Sequence, residues 1–174
     1  HGSRRVMNAD RSARLLSDEK EFIWHPFTPM RQWCSPEHEP LLLTRGEGCW
    51  LWDQNGNRYL DGNSSIWTNI HGHRHPKIDA AIRAQLDRVA HTSFLGFTHP
   101  LAAELGRELV SLWPANTLTR VFFSDNGSTA IEVALKMAVQ FWQQSGHPER
   151  TRFVAFSGAY HGDTMGASSL GGIA

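Results

Sequence analysis

Residues 122–138 read FFSDNGSTAIEVALKMA. With Thr119, Arg120 and Val121 in front, the run to Asp125 has the Val and Phe content of a buried strand. It breaks on Asp125, Asn126, Gly127 and Ser128. Ile131, Leu135, Ala138 and Trp142 then recur along one helical face. Such a turn places a helix N-terminus at the carboxyl end of a strand. Unpaired N–H groups and a partial positive charge gather there, and a phosphate satisfies both. Gly127 allows close backbone approach, and Ser128 and Thr129 add hydroxyls. The plainer alternative is that Ser128 only caps the helix. The turn lacks the G-x-G-x-x-G of dinucleotide sites and the Gly-Lys-Ser/Thr of a P-loop, which favours a mononucleotide or another phosphorylated cofactor.

Further on, RFVAFSG (152–158) reads as a second strand, followed by the turn GAYHGDT (158–164). Strands and helices alternate from Thr119 onward, which predicts a mainly parallel sheet flanked by helices, an α/β arrangement. Ligands of such sheets collect at the carboxyl ends of the strands, where both turns lie. Tyr160 is placed to stack on a planar ring held by the first turn, with His161 beside it packing against that ring's surroundings or supporting the loop.

The first part of the chain has another style. Residues 12–24 carry Leu15, Leu16, Ile23 and Trp24 at helical spacing, and Pro26 and Pro29 stop that helix. GCWLWDQNGNRYLDG (48–62) alternates around Asn55-Gly56, as in a β-hairpin. Pro76 starts a helix with Ile78, Ile82, Leu86 and Val89 on one face; Leu101, Leu105, Leu109 and Leu112 form another, ended by Pro114. The expected division is a tag or linker remnant at 1–3, a segment of helix, loop and hairpin at 4–75, and the beginning of a larger domain at 76–174. SSLGGIA (168–174) stops in mid-pattern, so the chain is expected to be part of a longer protein.

The 174 residues are 40% apolar with seven Trp and nine Phe, enough to build a packed protein. Lys plus Arg equals Asp plus Glu, so no basic footprint for nucleic acid is present. No apolar run approaches the roughly 20 residues that span a bilayer. Two isolated cysteines, Cys34 and Cys49, point to a reducing compartment, and the cytoplasm is expected.

Five segments together resemble the class III (fold type I) aminotransferases, which use pyridoxal 5'-phosphate, and most closely their diaminononanoate synthase branch. They are WHPFTPM (24–30), DGNSSIWTNIHGHRHP (61–76), HTSFLGFTHPLAAELG (91–106), FFSDNGSTAIEVALKMAVQFW (122–142) and GAYHGDT (158–164). The resemblance implies that Gly127 and Ser128 bind the cofactor phosphate and that Tyr160 lies over the pyridine ring. It implies that Trp67 lines the substrate pocket and that Phe27 closes over it. The implied reaction is amination of 7-keto-8-aminopelargonate to 7,8-diaminopelargonate in biotin biosynthesis, by a homodimer. Phe94 and Phe97 are candidates for its subunit interface.

The family's catalytic lysine, its pyridine-pairing Asp and its carboxylate-binding Arg have no counterpart in these 174 residues. Lys20, Lys77 and Lys136 are the only lysines, and none stands in a matching context. This chain by itself is therefore expected to be inactive, with no catalytic residue of its own. Branch members that use S-adenosylmethionine as amino donor show WHPY and SSWW. Phe27 and Ile66 stand at the matching positions here, without the phenol and without the aromatic face that suits a sulfonium. That resembles the lysine-using branch. Rival readings are an ω-amino-acid transaminase and a non-catalytic module for a phosphorylated ligand.

Blander assignments cover the rest. His71, His73 and His75 alternate, but no Cys or carboxylate set accompanies them, so no metal is expected. Trp50 and Trp52 read as core or dimer packing. Glu132 and Lys136 read as an i,i+4 pair, Asp163 as a brace for its turn, and Asn126 is left without a role.

Overall fold

The computed structural model describes residues 6–171. The chain divides into two compact units, His1–His91 and Thr92–Ala174.

In the first unit, α1 spans Ala9–Phe22. It starts ahead of the predicted helix because the Asn8 carboxamide accepts from Arg11 N–H at 3.1 Å and caps it. Asp10 in the first turn and Lys20 in the last suit the helix dipole. The chain becomes extended at Ile23, in front of Pro26. The short α2, Met30–Trp33, follows Pro29. Glu19 ties this corner together: it accepts from Trp33 Nε1 at 3.0 Å and pairs with His25 Nε2. Those hydrogen bonds, His25 first, hold its carboxyl below the ordinary value.

The hairpin forms as predicted, with a third strand the alternation did not reveal. Strands β1 (Leu43–Glu47), β2 (Trp50–Asp53) and β3 (Arg58–Leu60) make an antiparallel sheet in that order. Gly56 takes φ +82° in the connection. Asp53, 3% exposed, organises the turn. Its carboxylate accepts from Asn55 N–H at 2.9 Å, Asn57 N–H at 2.8 Å, Asn57 Nδ2 at 2.9 Å and Tyr59 OH at 3.0 Å. Trp50 and Trp52 are covered by guanidinium groups, Arg58 over one and Arg45 over the other, each at 4.1 Å.

After β3 comes the four-residue turn α3, Ser64–Trp67. Its backbone is left-handed throughout: φ is +52° at Ser64, +49° at Ser65, +59° at Ile66 and +65° at Trp67. No glycine relieves it. The left-handed conformation costs about 1–2 kcal/mol per residue, and most for a β-branched residue such as Ile66. Helix α4, Pro76–Leu86, begins with proline in its first turn, as the sequence predicts.

The second unit contains α5 (Pro100–Ser111), α6 (Gly127–Gln144) and α7 (Met165–Gly171). Ala167, fully withdrawn from solvent, marks the packing of α7 on α6. The two predicted strands of this unit are not paired: residues 119–124 and 151–156 join no ladder among the described residues. A β-strand exists only through its neighbour's hydrogen bonds, and none lies beside these runs. Their apolar side chains stay exposed, Phe122 at 63% and Phe156 at 85%. An open hollow of about 920 Å³ between α5 and 119–123 is lined by Phe94, Val110 and Phe122, and Ser128 is not part of its lining. Among the described residues no helix is long and apolar enough to cross a membrane.

Candidate active site

The turn before α6 is built by Asn126. Its carboxamide oxygen accepts from Thr129 N–H at 2.9 Å, and Thr129 Oγ1 accepts from Asn126 N–H at 3.0 Å, a reciprocal capping box. Ser124 Oγ donates to the same threonine oxygen at 2.5 Å. The helix cap is thus Asn126, and Ser128 is free for other work. A hydrogen-bonding residue two positions upstream of Ser128, with Thr129 at the third helical position, was the available sequence signal.

Ser128 reaches the second turn, accepting from Asp163 N–H at 3.1 Å. Gly162 sits tightly beneath it. A methyl group at 162 would meet Ser128 Cβ at 2.8 Å and Cα at 2.9 Å, and the backbone there has φ +131°. Only glycine fits such a position. Tyr160, 74% exposed, donates its hydroxyl to Asp163 Oδ2 at 2.8 Å. That bond to a carboxylate raises the phenol above its ordinary pKa. Asp163 therefore braces the turn as expected. His161 Nε2 is buried without a partner among the described residues.

Glu132 departs from its expected role. It does not pair with Lys136; its Oε1 accepts from Gly166 N–H at 2.7 Å and Ala167 N–H at 3.2 Å, holding the start of α7 against α6. The buried Thr164 hydroxyl has no well-formed hydrogen bond, yet its closeness to this carboxylate is the largest influence keeping the carboxyl low, ahead of Gly166 N–H.

A phosphorylated planar cofactor fits the chemistry of these residues. The N–H groups of Gly127 and Ser128 have no protein partner among the described residues. A side chain at Gly127 would meet nothing within 4 Å, so there is room in front of the helix. The Ser128 hydroxyl accepts from Asp163 and keeps its own proton to give. Tyr160 presents an exposed ring tethered at its hydroxyl.

Phe27 and Trp67 belong to the first unit, Phe27 between α1 and α2 and Trp67 at the end of α3. Both are exposed, at 93% and 78%, and both have left-handed backbones, φ +52° and +65°. The three alternate histidines differ in partner: His73 Nε2 donates to Asp61 Oδ2 at 2.8 Å, and the rings of His71 and His75 meet edge-on at 5.8 Å. Among the described residues no group of three or more His, Cys, Asp or Glu is disposed to hold a metal.

The family model for aminotransferase class III matches residues 34–173. The adenosylmethionine-8-amino-7-oxononanoate aminotransferase of Geobacter sulfurreducens is 50% identical over 165 residues, which are 94% of this chain and 36% of that protein. The protein of the same name from Nitratidesulfovibrio vulgaris is 55% identical over 95% of this chain and 30% of its own length. The crystal structure of the Methanocaldococcus jannaschii protein of that name superposes with a TM-score of 0.86 at 42% identity, over 92% of this chain and 36% of that one. An (S)-enantioselective ω-transaminase from Thermomicrobium roseum gives 0.84 at 37% identity, with the same coverage. The chain spans about a third of the length of the curated relatives it matches.

Proposed function

We propose, for a chain that belongs to the class III aminotransferases and carries part of their fold type I architecture, that the whole protein aminates 7-keto-8-aminopelargonate to 7,8-diaminopelargonate with pyridoxal 5'-phosphate. When bound, the cofactor supplies the electron sink through which an amino group leaves one carbon and joins another. The N–H groups of Gly127 and Ser128 and the Ser128 hydroxyl bind its phosphate. Tyr160 lies over the pyridine ring and fixes its tilt through Asp163. Trp67 lines the substrate pocket, and Phe27 closes over it to exclude water. The observation that carries this reading is the capping of α6 by Asn126, which leaves Ser128 to join the two turns.

The 174-residue chain alone is inactive on this reading. Lys20 Nζ is engaged by the carbonyls of Ser35 and His38, at 2.8 and 2.5 Å. Lys136 lies nine residues into α6, about 14 Å from its start. Lys77 opens α4. Borohydride reduction of the chain with cofactor leaves no stoichiometric lysine adduct; one such adduct at a single site overturns this.

The amino donor is S-adenosylmethionine, as the relatives' name has it, or lysine, the reading that Phe27 and Ile66 support. Single-turnover spectra of the full-length protein test it: conversion by S-adenosylmethionine and not by lysine refutes the lysine assignment. An ω-amino-acid transaminase is the second reading, favoured by the 37% identity to the Thermomicrobium roseum enzyme. Turnover of simple ω-amino acids without activity on 7-keto-8-aminopelargonate would select it. The protein is a homodimer of the cytoplasm, with Cys34 and Cys49 as free thiols.

A further inference from the structure

Four consecutive non-glycine residues in the left-handed region need something outside themselves to hold them there. Asp61 does this. Its Oδ1 accepts from Ser65 N–H at 2.8 Å and its Oδ2 from Ser65 Oγ at 2.8 Å. The same Oδ2 accepts from His73 Nε2 at 2.8 Å. Both side chains of this pair are largely buried, Asp61 at 6% exposure and His73 at 16%.

His73 is in turn fixed to the sheet. Its backbone exchanges two hydrogen bonds with Gly48, at 2.7 and 2.9 Å, in the β1–β2 connection. Its ring lies against Gly46 of β1, where a methyl group would meet His73 Cγ at 2.8 Å. Asp61 N–H donates to Cys49 O at 2.9 Å. A continuous path therefore runs from the rigid sheet through His73 and Asp61 to Ser65. At its far end stand Ile66 and Trp67, 66% and 78% exposed.

We infer that Asp61, oriented by His73, is a positioning residue that imposes the left-handed turn at Ser65 and thereby aims Ile66 and Trp67 at the substrate. This rests on the reading of Trp67 as a pocket wall. The Asp61 carboxylate is engaged by Ser65 and His73 and acts through them. Without its carboxylate, Ser65 loses both hydrogen bonds and the turn relaxes to an unstrained backbone, carrying the two side chains away. Asp61 thus tunes substrate recognition from behind.

The test uses the full-length protein loaded with pyridoxal phosphate. Asp61→Ala and His73→Gln are compared with Trp67→Ala for KM, kcat, cofactor occupancy and hydrogen exchange at the Ser65 amide. A misplacement of about 1 Å at a binding group costs up to 100-fold, so Asp61→Ala raises the KM for the keto substrate roughly tenfold or more. Cofactor occupancy holds, and protection of the Ser65 amide falls. His73→Gln keeps a donor for Asp61 and gives a smaller rise. If Asp61→Ala yields no folded protein, Ser65→Ala removes one of the two bonds and must raise KM with occupancy retained. An unchanged KM and unchanged Ser65 protection in a folded Asp61→Ala protein overturn the inference, provided Trp67→Ala itself raises KM. If Trp67→Ala leaves KM unchanged, it is the pocket-wall reading that falls, and the inference with it.

Discussion

Gly162 packs directly against Ser128, close enough that any side chain at 162 would collide with Ser128 Cα and Cβ. The N–H of the next residue, Asp163, donates to Ser128 Oγ. One serine thus joins the helix that offers the phosphate cradle to the loop that carries Tyr160.

Gly162→Ala separates them. The added methyl and the φ of +131° together cost about 1–3 kcal/mol of local strain, which the loop relieves by moving off Ser128. Spectrophotometric titration of the full-length protein with pyridoxal phosphate is expected to show weaker binding by about tenfold or more, the equivalent of at least about 1.4 kcal/mol. An affinity equal to the parent's would show that this contact does not set the site.

Asn126→Ala and Ser128→Ala act on different quantities. The first removes a capping box and lowers stability by about 1 kcal/mol, seen as a lower melting temperature without cofactor. The second leaves the cap intact and lowers cofactor affinity instead. A loss of stability from Ser128→Ala equal to that from Asn126→Ala would restore the capping role to the serine.

Glu132 gives the α6–α7 contact a pH dependence. Its carboxyl sits below the ordinary value of 4.5 in the folded protein, chiefly through Thr164 and then Gly166 N–H. The ionised form is the one that accepts best from the Gly166 and Ala167 N–H groups. Its contribution is complete above pH 4.5 and is lost as pH falls through the lower folded value. Hydrogen exchange at the Gly166 and Ala167 amides is expected to accelerate over that acid range. In Glu132→Gln the same amides exchange faster at neutral pH and lose the acid dependence. Retention of the dependence in the variant would assign it to another group.

Asp53→Ala tests the sheet on which the His73 contact depends. Burial alone would raise this carboxyl; the hydrogen bonds from Asn57, Tyr59 and Asn55 outweigh it and bring it down. Removing a buried acceptor of four hydrogen bonds costs about 3 kcal/mol, measured by urea unfolding. Asp53→Asn, which keeps one acceptor oxygen, costs less.

The features readable from residues were those whose cause is local. Pro76 announces a helix start, and Asn55-Gly56 announces a hairpin, because φ preferences and missing N–H groups act within a few residues. The left-handed turn at Ser64–Trp67 was not readable, since nothing in Ser-Ser-Ile-Trp favours positive φ; its cause is Asp61, held by a histidine twelve residues further along. Glu132 was misassigned for the same reason: its nearest cation is four residues away, but its partners lie more than thirty residues away. The runs 119–124 and 151–156 carry strand composition, and composition cannot supply the neighbouring strand that a ladder requires. Strand β1 was missed because Thr-Arg-Gly-Glu has no apolar alternation, its place being set by pairing with β2.

The most direct measurement is a crystal structure of the full-length protein with pyridoxal phosphate bound. The expected result is phosphate oxygens about 3 Å from Gly127 N, Ser128 N and Ser128 Oγ, with the Tyr160 ring over the pyridine and Asn126 still capping α6. A phosphate bound elsewhere, with the start of α6 open to water, would contradict the cradle and the function built on it.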